Sequence, residues 1–177
     1  SILQTIKINK TKKNKYKQIN QPKTSQIISN KNNISSIEKE LINFCFTNDS
    51  DLRAIIKNNL NVEWLEADLI KEIYNQVYMH LSSKETVKPE IIMNELIKEE
   101  ARNLMAQLIF DDMQPTKNII IDCLCRIEKN ILQKRINNLR LTLKNDALNE
   151  EVKLKNLEEI AKYQKKKNNL IEKYQDA

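Results

Sequence analysis

Residues 119–171 read IIIDCLCRIEKNILQKRINNLRLTLKNDALNEEVKLKNLEEIAKYQKKKNNLI, with neither proline nor glycine among them. From about Thr116 to Lys144 nothing breaks a helix, which gives roughly 30 residues and about 45 Å at 1.5 Å per residue. Placed around that helix, Ile120, Cys123, Leu124, Ile127 and Ile131 make one apolar stripe. Cys125, Leu132, Ile136, Leu139 and Leu143 make another on roughly the opposite side. A helix whose apolar side changes along its length is expected to pack on a bundle first and on a second partner later. The partner is a final helix from about Asn149 to Tyr174, reached through a short turn at Asn145 to Leu148. Its Leu154, Leu157, Ala161, Gln164, Asn168 and Ile171 alternate spacings of three and four, as an antiparallel two-helix seam requires. Folding at the turn sets Leu143 opposite Leu154, Leu139 opposite Leu157, and Cys125 opposite Ile171.

A second stripe on the final helix, Val152, Tyr163, Leu170 and Tyr174, lies on a different side and finds no partner within the hairpin. Apolar surface of this kind on a thin projection predicts a partner-binding face, the alternative being that Leu170 and Tyr174 fold back onto the bundle. Tyr163 and Tyr174 are its expected anchors, because aromatic side chains dominate interface energetics.

Upstream, Ser35 and Glu38 form an S-x-x-E capping box for a helix carrying Ile37, Leu41, Phe44 and Cys45. Asn48 and Asp49 offer a cap for a second helix, and a third runs from about Glu66 to Leu81, with Trp64 before it plugging the bundle. Pro89 suits the first position of the next helix, and a short one with Leu104, Met105 and Leu108 follows. No alternating strand pattern occurs. The expected fold is all-α, with residues 1–35 a basic flexible linker, 36–130 a helical bundle, and 131–177 a C-terminal antiparallel helical hairpin.

The 177 residues include no glycine. That argues against a P-loop, a dinucleotide-binding GxGxxG turn and a GxSxG elbow, each of which needs glycine where backbone approaches phosphate or turns sharply. The formal charge is +6, but residues 1–36 carry eight lysines and no acid. The other 141 residues hold 22 Lys and Arg against 24 Asp and Glu, a net of −2. The tail therefore suits weak nucleic-acid contact or a solubilising tether, and the domain itself is expected to lack a basic face for phosphates.

Three cysteines, at 45, 123 and 125, with no secretory signal or run of transmembrane length, predict a reduced, cytoplasmic setting and no membrane contact. Cys123 and Cys125 point about 200° apart on a helix and are expected neither to share a metal nor to bond each other. His80 lacks a second ligand at metal-binding spacing, and Asp111 and Asp112 are adjacent in a loop. No catalytic, cofactor-binding or metal-ligating residue is assigned.

The run IEKELINFCFTNDSDLRAIIKNNLNVEWLEADLIKEIYNQVY, then IIMNEL, then the segment quoted above, resembles in order the C-terminal domain of DnaG-type bacterial primases. The resemblance covers residues 37–174 and is carried by the DCLCRIEK entry to the long helix and by the closing hairpin. It implies a helical bundle and hairpin joined by a lysine-rich linker to a polymerase core, and docking on the N-terminal domains of the hexameric replicative helicase. The zinc module and magnesium-binding core of the family, which carry its nucleotidyltransferase activity, have no counterpart in these residues, so neither cofactor nor small-molecule substrate is expected here. The related N-terminal domain of DnaB-type helicases is the nearest alternative, disfavoured by the absent glycines and by a basic segment that precedes the helices. A nucleic-acid-binding helical protein using its lysine tail is the alternative from another class.

Overall fold

The computed structural model describes residues 34–82, 85–109, 114–145 and 148–175. The linker assigned to residues 1–35 lies almost wholly outside them, as do Asp111 and Asp112. Among the described residues all regular structure is helical: α1 (Ser36–Phe44), α2 (Ser50–Asn59), a 3-10 turn at Val62–Trp64, α3 (Asp68–His80), α4 (Pro89–Glu95), α5 (Glu99–Ile109), α6 (Lys117–Leu143), α7 (Glu150–Asn168) and α8 (Leu170–Gln175).

Side-chain caps set the helix starts. Ser35 Oγ accepts from the Glu38 amide at 3.2 Å while Glu38 Oε2 accepts from the Ser35 amide at 2.9 Å, completing the expected capping box. Asp49 Oδ1 accepts from the amides of Asp51 and Leu52, and Asn149 Oδ1 from that of Glu151. Pro89 begins α4, where its missing N–H costs nothing. With no glycine available, no described residue has a positive φ. Helices end instead on right-handed caps such as Cys45 and Lys144, or on extended ones such as Leu60 and Leu96.

The first half of α6 lies against α1, α2 and the 3-10 turn, while α3, α4 and α5 close the other side of the bundle. Its buried Ile120, Cys123, Leu124 and Ile127 are the bundle-facing stripe that the periodicity predicts. Leu132 and Ile136 are buried on the other stripe, with Leu139 and Leu143 half-buried. The long helix therefore changes partner along its length, as expected from sequence.

Polar groups within the core act as ties. Glu38, buried, also accepts from the Glu66 amide at 2.6 Å, fixing the start of α1 to the segment before α3. Arg53 donates from Nη1 to the Thr47 carbonyl at 2.6 Å and from Nη2 to the Glu85 carbonyl at 3.2 Å, joining the α1–α2 turn to the segment before α4. Trp64 only half-plugs the bundle, and Lys173 lies over its ring at 5.3 Å.

The expected boundary between residues 130 and 131 falls inside α6, and the core runs across it. Leu132, Leu170 and Tyr174 belong to the same buried cluster as Leu41 and Ile70. The single final helix of the sequence reading is two, broken at Asn169, whose φ of −96° and ψ of 12° leave the helical range. That break turns α8 back onto α6.

Candidate functional site

The hairpin of α6 and α7 is the element singled out for partner binding, and its two faces are exchanged relative to expectation. Leu154, Leu157 and Ile171, assigned to the seam, are 60%, 53% and 66% exposed. Buried or half-buried instead are Lys153, Asn156, Ile160, Tyr163 and Lys167 on α7, continued by Leu170 and Tyr174 on α8. These too alternate three and four, so either stripe satisfies the spacing rule. What separates them is volume: the buried stripe carries two tyrosines, and the exposed one carries Ala161, Gln164 and Asn168 between its leucines and Ile171.

Of the four residues predicted to bind a partner, only Val152 is exposed. Tyr163 is half-buried in the seam with the Arg135 guanidinium 5.8 Å from its ring centre. Leu170 and Tyr174 are 3% and 0% exposed. Leu170 and Tyr174 thus fold back onto α6 and the bundle, the alternative the sequence left open, while Tyr163 is half-covered by α6 and Val152 stays exposed.

Tyr174 explains why that face turns inward. Its hydroxyl donates to Glu128 Oε2 at 2.7 Å, and Lys173 Nζ reaches the same oxygen at 2.7 Å. Lys166 Nζ lies 3.0 Å from Oε1. Burial pushes the Glu128 carboxyl up, yet the hydrogen bonds from Lys173 and Tyr174, with the Lys166 ammonium beside Oε1, outweigh it and hold the group below the usual carboxylate range. The same contact, with burial as the larger cause, pushes the Tyr174 hydroxyl well above its ordinary value. The sequence reading missed Glu128. Its available signal was an acid on the seam stripe of α6 with lysines on the facing helix.

The cysteines and His80 sit in local contacts. Cys123 donates its thiol to Glu40 Oε2 at 3.5 Å, and Cys125 lies 3.9 Å from the Leu170 carbonyl on the opposite side of α6. The two cysteines point apart, as predicted. Burial, with Glu40 second, pushes the Cys123 thiol up to about 12, so it stays protonated. His80 sits in the last turn of α3 with Nε2 3.0 Å from Glu95 Oε2. Among the described residues no group of three or more His, Cys, Asp or Glu is arranged to hold a metal ion, and no helix is long and apolar enough to cross a membrane.

Large apolar side chains left exposed on the hairpin include Leu154 and Leu157 on the outer side of α7, Ile171 on α8 beyond the break, Leu141 on α6, and Val152 near the tip. Packing and hydrogen bonding to a second helix is what such a surface offers chemically. No protein-family model, curated protein or solved structure matches this chain.

Proposed function

We propose that this chain is the helicase-docking region of a bacterial DnaG-type primase, binding the N-terminal domains of the hexameric replicative helicase. The observation that carries docking is the exposed heptad stripe of α7. Leu154 and Leu157 sit at helix-packing spacing on a two-helix projection, and no described residue covers them. Bundle followed by hairpin is also the order of elements that the resemblance implies. The return of α8 onto the bundle gives the projection a fixed base, which favours a rigid docking arm over a swinging one.

In this reading the chain supplies no bond-making group. It raises the local concentration of the priming enzyme at the unwinding fork, so that template encounters become intramolecular. A short leucine stripe suits an interface at the small end of the usual range and hence a reversible complex. Docking in this reading rests on Leu154 and Leu157 rather than on Tyr174, which is fully buried.

The test is size-exclusion chromatography and calorimetry with the cognate replicative helicase. Parent protein is expected to co-elute, and Leu154→Ala with Leu157→Ala to weaken binding by about 1 to 3 kcal/mol, as truncation of interface anchors commonly does. Absence of binding by the parent rejects the assignment to primase. Binding undiminished in the double variant moves the interface off α7.

A further inference from the structure

Charge is segregated along this chain. Residues 36–109 hold eight Lys and Arg against thirteen Asp and Glu, a net of −5, whereas residues 117–175 hold fourteen against eight, a net of +6. The near-neutral total hides this division. The bundle helices before α6 are acidic, and the hairpin half is basic.

Four of these fourteen cations stand in line on one side of α6. Arg126, Lys129, Gln133, Asn137, Arg140 and Lys144 follow one another at spacings of three and four, on the side opposite the bundle-facing stripe. All are exposed except the half-buried Gln133. From Arg126 to Lys144 the row extends about 27 Å and carries four cations, two amides and no acid. At its start it forms one wall of a groove of about 510 Å³, which Lys167 and Asn168 close from the other side.

The groups along this row are held loosely. The one acid in the groove, Asp122, pairs with Arg126 at 3.6 Å, but both side chains are more than half exposed, where an ion pair contributes little. Lys167 Nζ donates to Gln133 Oε1 at 2.8 Å, a neutral acceptor. No acid among the described residues pairs with Lys129 or Arg140. Arg140 and Lys144 also complement the C-terminal end of the helix dipole, which accounts for their position without a ligand. Arg126 and Lys129 lie near the middle of α6, three residues apart, where like charges repel and the dipole gives no compensation.

We propose that this row and groove bind the phosphodiester backbone of a nucleic acid. Four cations on one side of the helix, Arg126 and Lys129 beside the groove and Arg140 and Lys144 beyond an amide-bearing stretch of about 16 Å, match a ligand whose negative charge repeats along its length. No aromatic ring lies on the row among the described residues, so recognition runs through phosphates, independent of base sequence. The groove shares Asn168 and Ile171 with the far end of the exposed α7 stripe, but Arg126, Lys129 and Arg140 lie on α6, and the proposal does not depend on the helicase assignment.

The experiment is fluorescence anisotropy of the full chain with labelled 20-nucleotide single-stranded and duplex DNA, from 50 to 200 mM salt. Parent protein is expected to bind, with Arg126→Glu/Lys129→Glu/Arg140→Glu losing at least tenfold in affinity. The slope of log affinity against log salt should become shallower by about 3, one phosphate contact per residue. A control of equal charge change on the bundle, Lys39→Glu/Lys88→Glu/Arg102→Glu, is expected to lose less than threefold. Should the reversed variant unfold by circular dichroism, Arg126→Gln/Lys129→Gln/Arg140→Gln is read in its place, with the same direction expected. An unchanged slope, an equal loss in the bundle control, or no binding by the parent overturns the proposal. Competition by polyglutamate as effective as by DNA of equal charge also overturns it, in favour of an acidic peptide ligand.

Discussion

Tyr174 and Glu128 meet through a 2.7 Å hydrogen bond inside the protein, the tyrosine fully buried and the glutamate 1% exposed. This contact joins the last helix to the middle of α6 and makes the hairpin and the bundle one packed unit. Tyr174→Phe is expected to cost about 1.5 to 3 kcal/mol, because the lost hydrogen bond has a charged acceptor. Tyr174→Ala, which also empties the site, should cost roughly 3 to 5 kcal/mol. Urea unfolding of both variants measures this, and a hairpin that is independent of the bundle would show no change in the bundle's own transition.

The depressed carboxyl of Glu128 has a pH signature. A group whose folded pKa lies below its unfolded value stabilises the protein fully above the unfolded pKa, about 4.3. That stability is lost as pH falls through the lower folded value. Glu72 acts in the same sense: burial raises it, but the Lys98 amide and ammonium outweigh burial and lower it. Parent protein should therefore lose stability on acidification from pH 5 to pH 2, and Glu128→Gln should be less stable than the parent at pH 7 with a shallower acid limb. Parallel curves for parent and variant would remove Glu128 from the account.

Hairpin register is testable by two neighbouring truncations. Ile160 is buried in the seam and Leu157 lies on the outer face. Ile160→Ala should cost about 2 to 3 kcal/mol, and Leu157→Ala less than about 0.5 kcal/mol, as for other exposed positions. Thermal melts decide it, and the reverse ranking would restore the leucine seam read from sequence.

Glu38 serves two elements at once, through the Ser35 capping box and the Glu66 amide. Glu38→Ala should destabilise by about 2 to 3 kcal/mol, more than the ~1 kcal/mol of an ordinary cap, since it strands buried backbone donors as well. Ser35→Ala, which removes only the cap, is the comparison. Equal losses would show that the contact with Glu66 adds nothing.

The sequence by itself determined most of the helices and their starts, though not the break at Asn169 that divides the last one. Ser35, Asp49, Pro89, Thr116 and Asn149 mark starts through local hydrogen bonds and fixed dihedrals, which depend on residues only a few positions away. It also determined both faces of α6, because Ile120, Leu124 and Ile127 are unambiguous against the polar residues between them. The facing side of α7 was not determined, since Leu154–Leu157 and Ile160–Tyr163–Leu170 both repeat at helical spacing and periodicity alone ranks neither. Tertiary structure made that choice through a distant residue. Glu128, on another helix, requires donors once buried, and only the rotation of α7 and α8 that brings Lys166, Lys173 and Tyr174 to it supplies them. The same rotation leaves Leu154 and Leu157 in solvent. The charge division followed a similar rule: the count of −2 over residues 37–177 was correct, but a sum over the sequence carries no direction. Only the packing of one side of α6 on the bundle left its other side, with Arg126, Lys129 and Arg140, exposed as a row.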